Sequence, residues 1–215
     1  RQMCIRDRYD IVNDHLTGQR TKMTQEIADK ENAIQASPYD DEHVIAGNGV
    51  GGLEIVEDLH RQDRDVSHFV CQVSGGGLMA GHALAIADGF PQAAIVGVEP
   101  TGADDYCQSL AAGERRSIEK PESICDGLLS YDVGEHNWPI LRELVPTSVT
   151  VSDSDTQAAM RWLYEHQGLR TEPSGAIAVA AALTGAVDVK DGEGDIIIIV
   201  SGRNVDDDRF RELIA

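Results

Sequence analysis

At 215 residues and 41% apolar, the chain can bury the core of one domain, and no apolar run in it reaches the length of a membrane span. Its 37 acidic side chains against 18 basic ones give a formal charge of −19 and a pI near 4.5, which argues against nucleic acid as a partner because its phosphates would be repelled. No signal-peptide h-region opens the sequence and Cys4, Cys71, Cys107 and Cys125 form no C-x-x-C pair, so a cytoplasmic protein with free thiols is expected.

Residues 1–8 fit nothing that follows and read as a non-native leader. An exposed helix is expected over Arg20 to Glu31, a short strand over Ala33 to Ala36 and an Asp-rich turn over Pro38 to Glu42. From there the pattern alternates. A helix over Gly51 to His60 precedes a strand over Phe69 to Val73, and a helix over Leu78 to Asp88 precedes a strand over Ala93 to Val98, with a third helix over Ala103 to Ala112. Thr147 to Val151 is strand-like, and Ser152 with Asp155 makes a capping signal for a helix running to His166. Gly175 to Leu183 is a small-residue helix, and the isoleucine run from Asp195 to Val200 reads as a fully buried central strand. Alternation of this kind predicts an α/β fold, a mostly parallel sheet flanked by helices in three layers. The seven histidines are scattered without the spacing of zinc ligands.

Chemistry is signalled first by Ser74-Gly75-Gly76-Gly77-Leu78, where an apolar strand gives way to a helix. Consecutive glycines let backbone approach an anion, and the first helical turn presents unpaired N–H groups at the positive end of the dipole, so a phosphorylated ligand is expected. Gly75, Gly77 and Ala80 also fit a dinucleotide fingerprint, with Glu99 at a suitable offset for a ribose-binding acid, and this keeps an NAD-binding oxidoreductase as an alternative. Glu99, Asp104 and Asp105 are hard oxygen donors of the kind that suits Mg²⁺ or Ca²⁺; Asp104 and Asp105 equally suit the positive end of a helix.

Five segments occur in a telling order: Ser74 to Leu78, Val98 to Asp105, Asp126-Gly127-Leu128, Glu172 to Ala176 and Val200 to Asp206. In that order they resemble the threonine dehydratases and serine racemases, fold-type II pyridoxal-phosphate enzymes of tryptophan synthase β-like architecture, from about Tyr9 to the C-terminus. The resemblance implies that Ser74, Gly75, Gly76, Gly77 and Leu78 cradle the phosphate of pyridoxal 5'-phosphate, that Ser201 hydrogen-bonds the pyridine nitrogen and that Gly127 lies against the ring. A neutral hydroxyl at that nitrogen leaves it largely unprotonated and the ring a weaker electron sink, which favours β-elimination. In racemase-like members a divalent ion is held by the residues matching Glu99, Ala103 and Asp105. Glu172 would be near the ring or tie down the helix start, and Arg203 stands where the family has glycine.

The resemblance further implies a dehydratase of a 3-hydroxy amino acid such as threonine or serine, yielding a 2-oxo acid and ammonia. Serine racemase, 3-hydroxyaspartate dehydratase and a non-catalytic binding protein stand as alternatives. The small amino-acid substrate would meet a homodimer. Family members carry the cofactor on a lysine in an N-terminal Ser-Phe-Lys segment, and neither Lys22 nor Lys30 has those neighbours, so no catalytic residue is assigned. Residues 9–38 are thus expected to be a remnant of a small domain and 39–215 an incomplete cofactor-binding domain, an N-terminally truncated fragment inactive by itself.

Overall fold

The computed structural model describes residues 19–188 and 194–215, so the leader at 1–8, Cys4 and Lys190 lie outside the described residues. The chain divides into two units, 1–36 and 37–215. In the first, helix α1 spans Gln19–Glu31. The strand expected at Ala33 to Ala36 is absent: Asn32 turns with φ 49° and the Ala33 amide donates back to the Ala28 carbonyl. A strand needs a paired neighbour, and the short segment Ala33-Ile34-Gln35-Ala36 does not supply one.

The second unit is an α/β sandwich. In chain order its elements are α2 Glu42–Arg61, β1 Val66–Gln72, α3 Gly77–Gly89, β2 Ala94–Pro100 and α4 Asp105–Ala112, followed by α5 Asn137–Leu144, β3 Thr147–Val151, α6 Asp153–Gln167, α7 Pro173–Leu183, β4 Asp195–Ile198 and α8 Asp207–Leu213. The strands pair in the order β3-β2-β1-β4, all parallel, with Phe69 opposite Ile95 and Ile197. Strand periodicity then decides the layers. Phe69, Cys71 and Val73 face α3, where Met79, Ala83 and Ile86 bury with Tyr106 and Leu141. Val70, Val96 and Val98 face the other way, onto Ala159 and Met160 of α6 and Ala176 to Ala181 of α7.

Two sequence expectations change here. Helix α2 begins at Glu42 rather than Gly51, because Asp41 Oδ1 accepts the amides of His43 and Val44 and caps it. Its glycines, poor helix formers alone, are favoured by packing: a Cβ at Gly52 would sit 2.8 Å from the Ala85 methyl of α3. The isoleucine run is not a fully buried central strand. β4 is shorter and outermost among the described strands, with Ile196 41% exposed. Branched apolar side chains report that the faces of a strand are covered, as Ile197 and Ile198 are on opposite sides, and carry no information about how many neighbours it pairs with.

A candidate cofactor site at the carboxyl ends of the strands

In a parallel sheet, ligands gather beyond the carboxyl ends of the strands, where loops converge on helix N-termini. β1 leads through Val73 into Ser74-Gly75-Gly76-Gly77 and then α3. Ser74 has φ 53° and Gly76 φ 98°, a pair of left-handed residues that reverses the chain tightly. The Gly76 amide bonds back to the Val73 carbonyl, and no side chain caps the start of α3. This is the cradle that an anion fits.

The turn is held from below by residues far along the chain. A Cβ on Gly75 would lie 2.4 Å from the Tyr39 ring, and one on Gly77 would lie 2.6 Å from the Tyr39 carbonyl oxygen. The Gly75 carbonyl accepts from the Gly134 amide at 2.9 Å and from Asn137 Nδ2 at 2.8 Å; the same Nδ2 donates to the Tyr39 carbonyl at 3.0 Å. Asp40 in turn takes the amides of Glu135 and His136. Ser74 Oγ donates to Ser130 Oγ at 3.2 Å, fixing the half-buried hydroxyl at the mouth of the turn.

Ser201 sits past the end of β4, beside β1. Gln72 Nε2, two residues before Ser74, donates to Ser201 Oγ at 2.5 Å, so the hydroxyl and the glycine turn lie on neighbouring strand ends, one side chain apart. Glu172 holds the turn after Ser201: its amide donates to the Gly202 carbonyl and its Oε2 accepts the Asn204 amide at 2.6 Å. Glu172 is thereby tied to the backbone around Ser201. Arg203 is exposed. Gly127 belongs to a 3-10 turn over Asp126–Leu128, is exposed, and its amide donates to Ser174 Oγ at the start of α7 at 3.0 Å.

The acidic group lies at the end of β2. Glu99 is fully buried, and its two oxygens accept the amides of Tyr106 and Cys107 in the first turn of α4. Asp105 is equally buried, but neither of its carboxylate oxygens has a partner among the described residues. Burial pushes Glu99 up to about 7 and Asp105 up to about 8, the latter also because the Glu99 charge lies close by. Ala103 is buried on the connection between them. No cluster of three or more His, Cys, Asp or Glu side chains is placed to hold a metal among the described residues, so any cation here needs a backbone carbonyl to complete its shell. An orphaned buried carboxylate of this kind fits such an ion. Among the described residues the thiols do not compete for chemistry: burial pushes Cys71 up strongly, Cys107 to about 12 and Cys125 to about 11, so none of these three is a ready thiolate.

Residues 11–202 match the family model described as pyridoxal-phosphate dependent enzyme. The chain belongs to that family. Among curated pyridoxal-phosphate-dependent relatives it is 35% identical over 199 residues to serine racemase of Oryza sativa subsp. indica, covering 91% of this chain and 57% of that protein. It is 35% identical over 188 residues to the catabolic L-threonine dehydratase of Escherichia coli K12, covering 87% of this chain and 56% of that protein. The solved structure of maize serine racemase superimposes with a TM-score of 0.82 at 34% identity, over 90% of this chain and 58% of that one. The fold is accordingly fold-type II, and the chain spans less than two thirds of these relatives' length. The dinucleotide reading of the glycine turn is overturned by this membership.

Within the pyridoxal-phosphate-dependent fold, several supporting residues escape sequence reading. Tyr39 and Asn137 carry no local signal, since they meet Gly75 only through the tertiary fold. Gln72 does carry one: a polar residue inside the run Phe69-Val-Cys-Gln-Val73 is out of place in a buried strand unless it is bonded. Asn137 yields a direct prediction. Asn137→Leu removes the amide that donates to both the Tyr39 and Gly75 carbonyls and is expected to lower stability by about 1–3 kcal/mol, read as a shift in urea midpoint. A variant as stable as the parent would show that the Asn137 bridge does not hold the turn.

Proposed function

We propose that the intact protein is a pyridoxal-phosphate-dependent dehydratase of a 3-hydroxy amino acid such as threonine or serine, releasing a 2-oxo acid and ammonia, and that this chain carries its phosphate- and ring-binding half. The observation that supports this reading is the Gln72–Ser201 bond, which sets the glycine turn and the ring-facing hydroxyl on adjacent strand ends. Ser74 to Leu78 hold the phosphate with backbone amides, Gly127 leaves room for the ring face and Ser201 Oγ meets the ring nitrogen. When bound, the cofactor supplies an electron sink for charge left on the substrate α-carbon. Ser201, a hydroxyl rather than a carboxylate, keeps that sink moderate and favours departure of the β-substituent. The chain by itself lacks the lysine that would remove the α-proton and is inactive.

A second reading, serine racemase or 3-hydroxyaspartate dehydratase, is favoured by Asp105, whose unpartnered buried carboxylate with Glu99 and the Ala103 carbonyl suits a divalent cation. The test uses this chain with pyridoxal 5'-phosphate. Equilibrium dialysis should give saturable binding at least roughly tenfold tighter than for unphosphorylated pyridoxal, a difference of about 1.4 kcal/mol. Assays for 2-oxo acid release from threonine or serine should give no more product than free cofactor does. Equal binding of the phosphorylated and unphosphorylated forms would refute the cradle, and turnover by this chain would refute its inactivity.

A further inference from the structure

Gln72 ends β1 on the face it shares with Val70, toward α7, and is 3% exposed. A primary amide in that position stabilises the strand less than an apolar side chain unless both of its ends are bonded. Only one is: Nε2 donates to Ser201 Oγ at 2.5 Å, and Oε1 is buried with no partner among the described residues. The amide therefore does little for the core and something specific to the serine.

A hydroxyl has one proton and two lone pairs. The amide N–H occupies one lone pair of Ser201 and offers no acceptor along that line, so the serine proton is not drawn back into the protein. Ser201 is otherwise exposed, past the end of β4. We propose that Gln72 is a positioning residue that orients the Ser201 hydroxyl as a donor to the ring nitrogen and thereby keeps that nitrogen unprotonated. This rests on the reading that the chain binds pyridoxal phosphate. The chemistry is acid–base only. A glutamate at this position would reverse it, because a carboxylate accepts the serine proton and leaves Oγ with lone pairs alone facing the ring, an arrangement that favours a pyridinium N–H.

The test titrates the chain with pyridoxine 5'-phosphate labelled with ¹⁵N in the ring, a probe that has no aldehyde and forms no bond with surface lysines. The ¹⁵N shift of the bound probe is followed against pH. In the parent protein the nitrogen should be unprotonated and hydrogen-bonded, with its protonation midpoint below that of the free probe. Gln72→Glu should raise the midpoint by about one pH unit or more, a tenfold change in the proton equilibrium. Gln72→Met should move the signal in the parent and leave it unmoved in a Ser201→Ala background. Bound probe with the parental shift and midpoint in both Gln72 variants overturns the inference alone, as does a Gln72→Met effect that survives undiminished without the serine hydroxyl. Absence of probe binding by the parent chain overturns the cofactor reading and this inference with it. If the Gln72 variants fail to fold, Ser201→Ala decides, since that side chain is exposed: an unchanged nitrogen signal overturns the proposal and loss of the hydrogen-bonded shift supports it.

Discussion

A Gly77→Ala variant is expected to lose about 3 kcal/mol of stability, a fall in Tm of roughly 6–12 °C for a domain of this size, together with its affinity for phosphorylated ligands. The added methyl would sit 2.6 Å from the Tyr39 carbonyl oxygen and 2.9 Å from the Tyr39 Cα, and both atoms are backbone. Neither can rotate away as a side-chain tip would. Tyr39 is anchored in turn, because its carbonyl takes the Asn137 amide and Asp40 next to it takes the amides of Glu135 and His136. Relief must therefore come from the glycine turn itself, which moves the first amides of α3 away from the position an anion requires. The contrast is Gly47→Ala in α2. A Cβ there meets nothing within 4 Å, and the helix should gain about 0.5–1 kcal/mol from the better helix former. Thermal melts of the two variants, with and without pyridoxal 5'-phosphate, separate a general intolerance of alanine from the specific collision. Equal Tm values for the two would remove Tyr39 as the floor of the turn.

The second large effect concerns pH. With EDTA present, the parent protein should become less stable as the pH rises from about 4 to about 8. Asp105 and Glu99 titrate near 4 in an unfolded chain but are held up to about 8 and about 7 in the folded one, both chiefly by burial, Asp105 also by the nearby Glu99 charge. Across that interval the folded state binds more protons than the unfolded state, so stability falls with rising pH, and the loss is complete once the pH passes the folded values. Asp105→Asn keeps the shape and removes the charge. It is expected to flatten this slope and to exceed the parent at pH 8 by on the order of 3 kcal/mol. Mg²⁺ or Ca²⁺ at millimolar levels should restore the parent at pH 8 and leave the variant unmoved, since a cation offsets the buried charge only where the charge exists. A variant no more stable than the parent at pH 8 would show that Asp105 is not a buried, uncompensated carboxylate.

Two kinds of information were legible, at different depths. The β-α alternation, the strand at Thr147–Val151, the Ser152 cap of α6 and the strand-to-helix glycine turn could be read residue by residue, because periodicity, capping and steric freedom act over a few neighbours. Family likeness placed Ser201 and Glu99 among the candidate site residues before any fold was known. Pairing, by contrast, was not legible. The isoleucines of β4 have the composition of a central strand and lie outermost among the described strands, since side chains record what covers a strand's faces while its edges are recorded only in the main chain of its neighbours.

The sequence by itself determined the layered α/β architecture, the strand-to-helix glycine turn and the acidic group after β2, all of which depend on short-range geometry. Only the tertiary structure decided that Tyr39 floors the turn, that Asn137 pins it from 62 residues away and that Gln72 reaches Ser201 across 129. It also decided that Glu99 accepts the α4 amides while Asp105 has no partner for its carboxylate among the described residues. Two carboxylates of one short acidic segment are chemically alike, and their different roles arise from which backbone donors the folded chain brings to each.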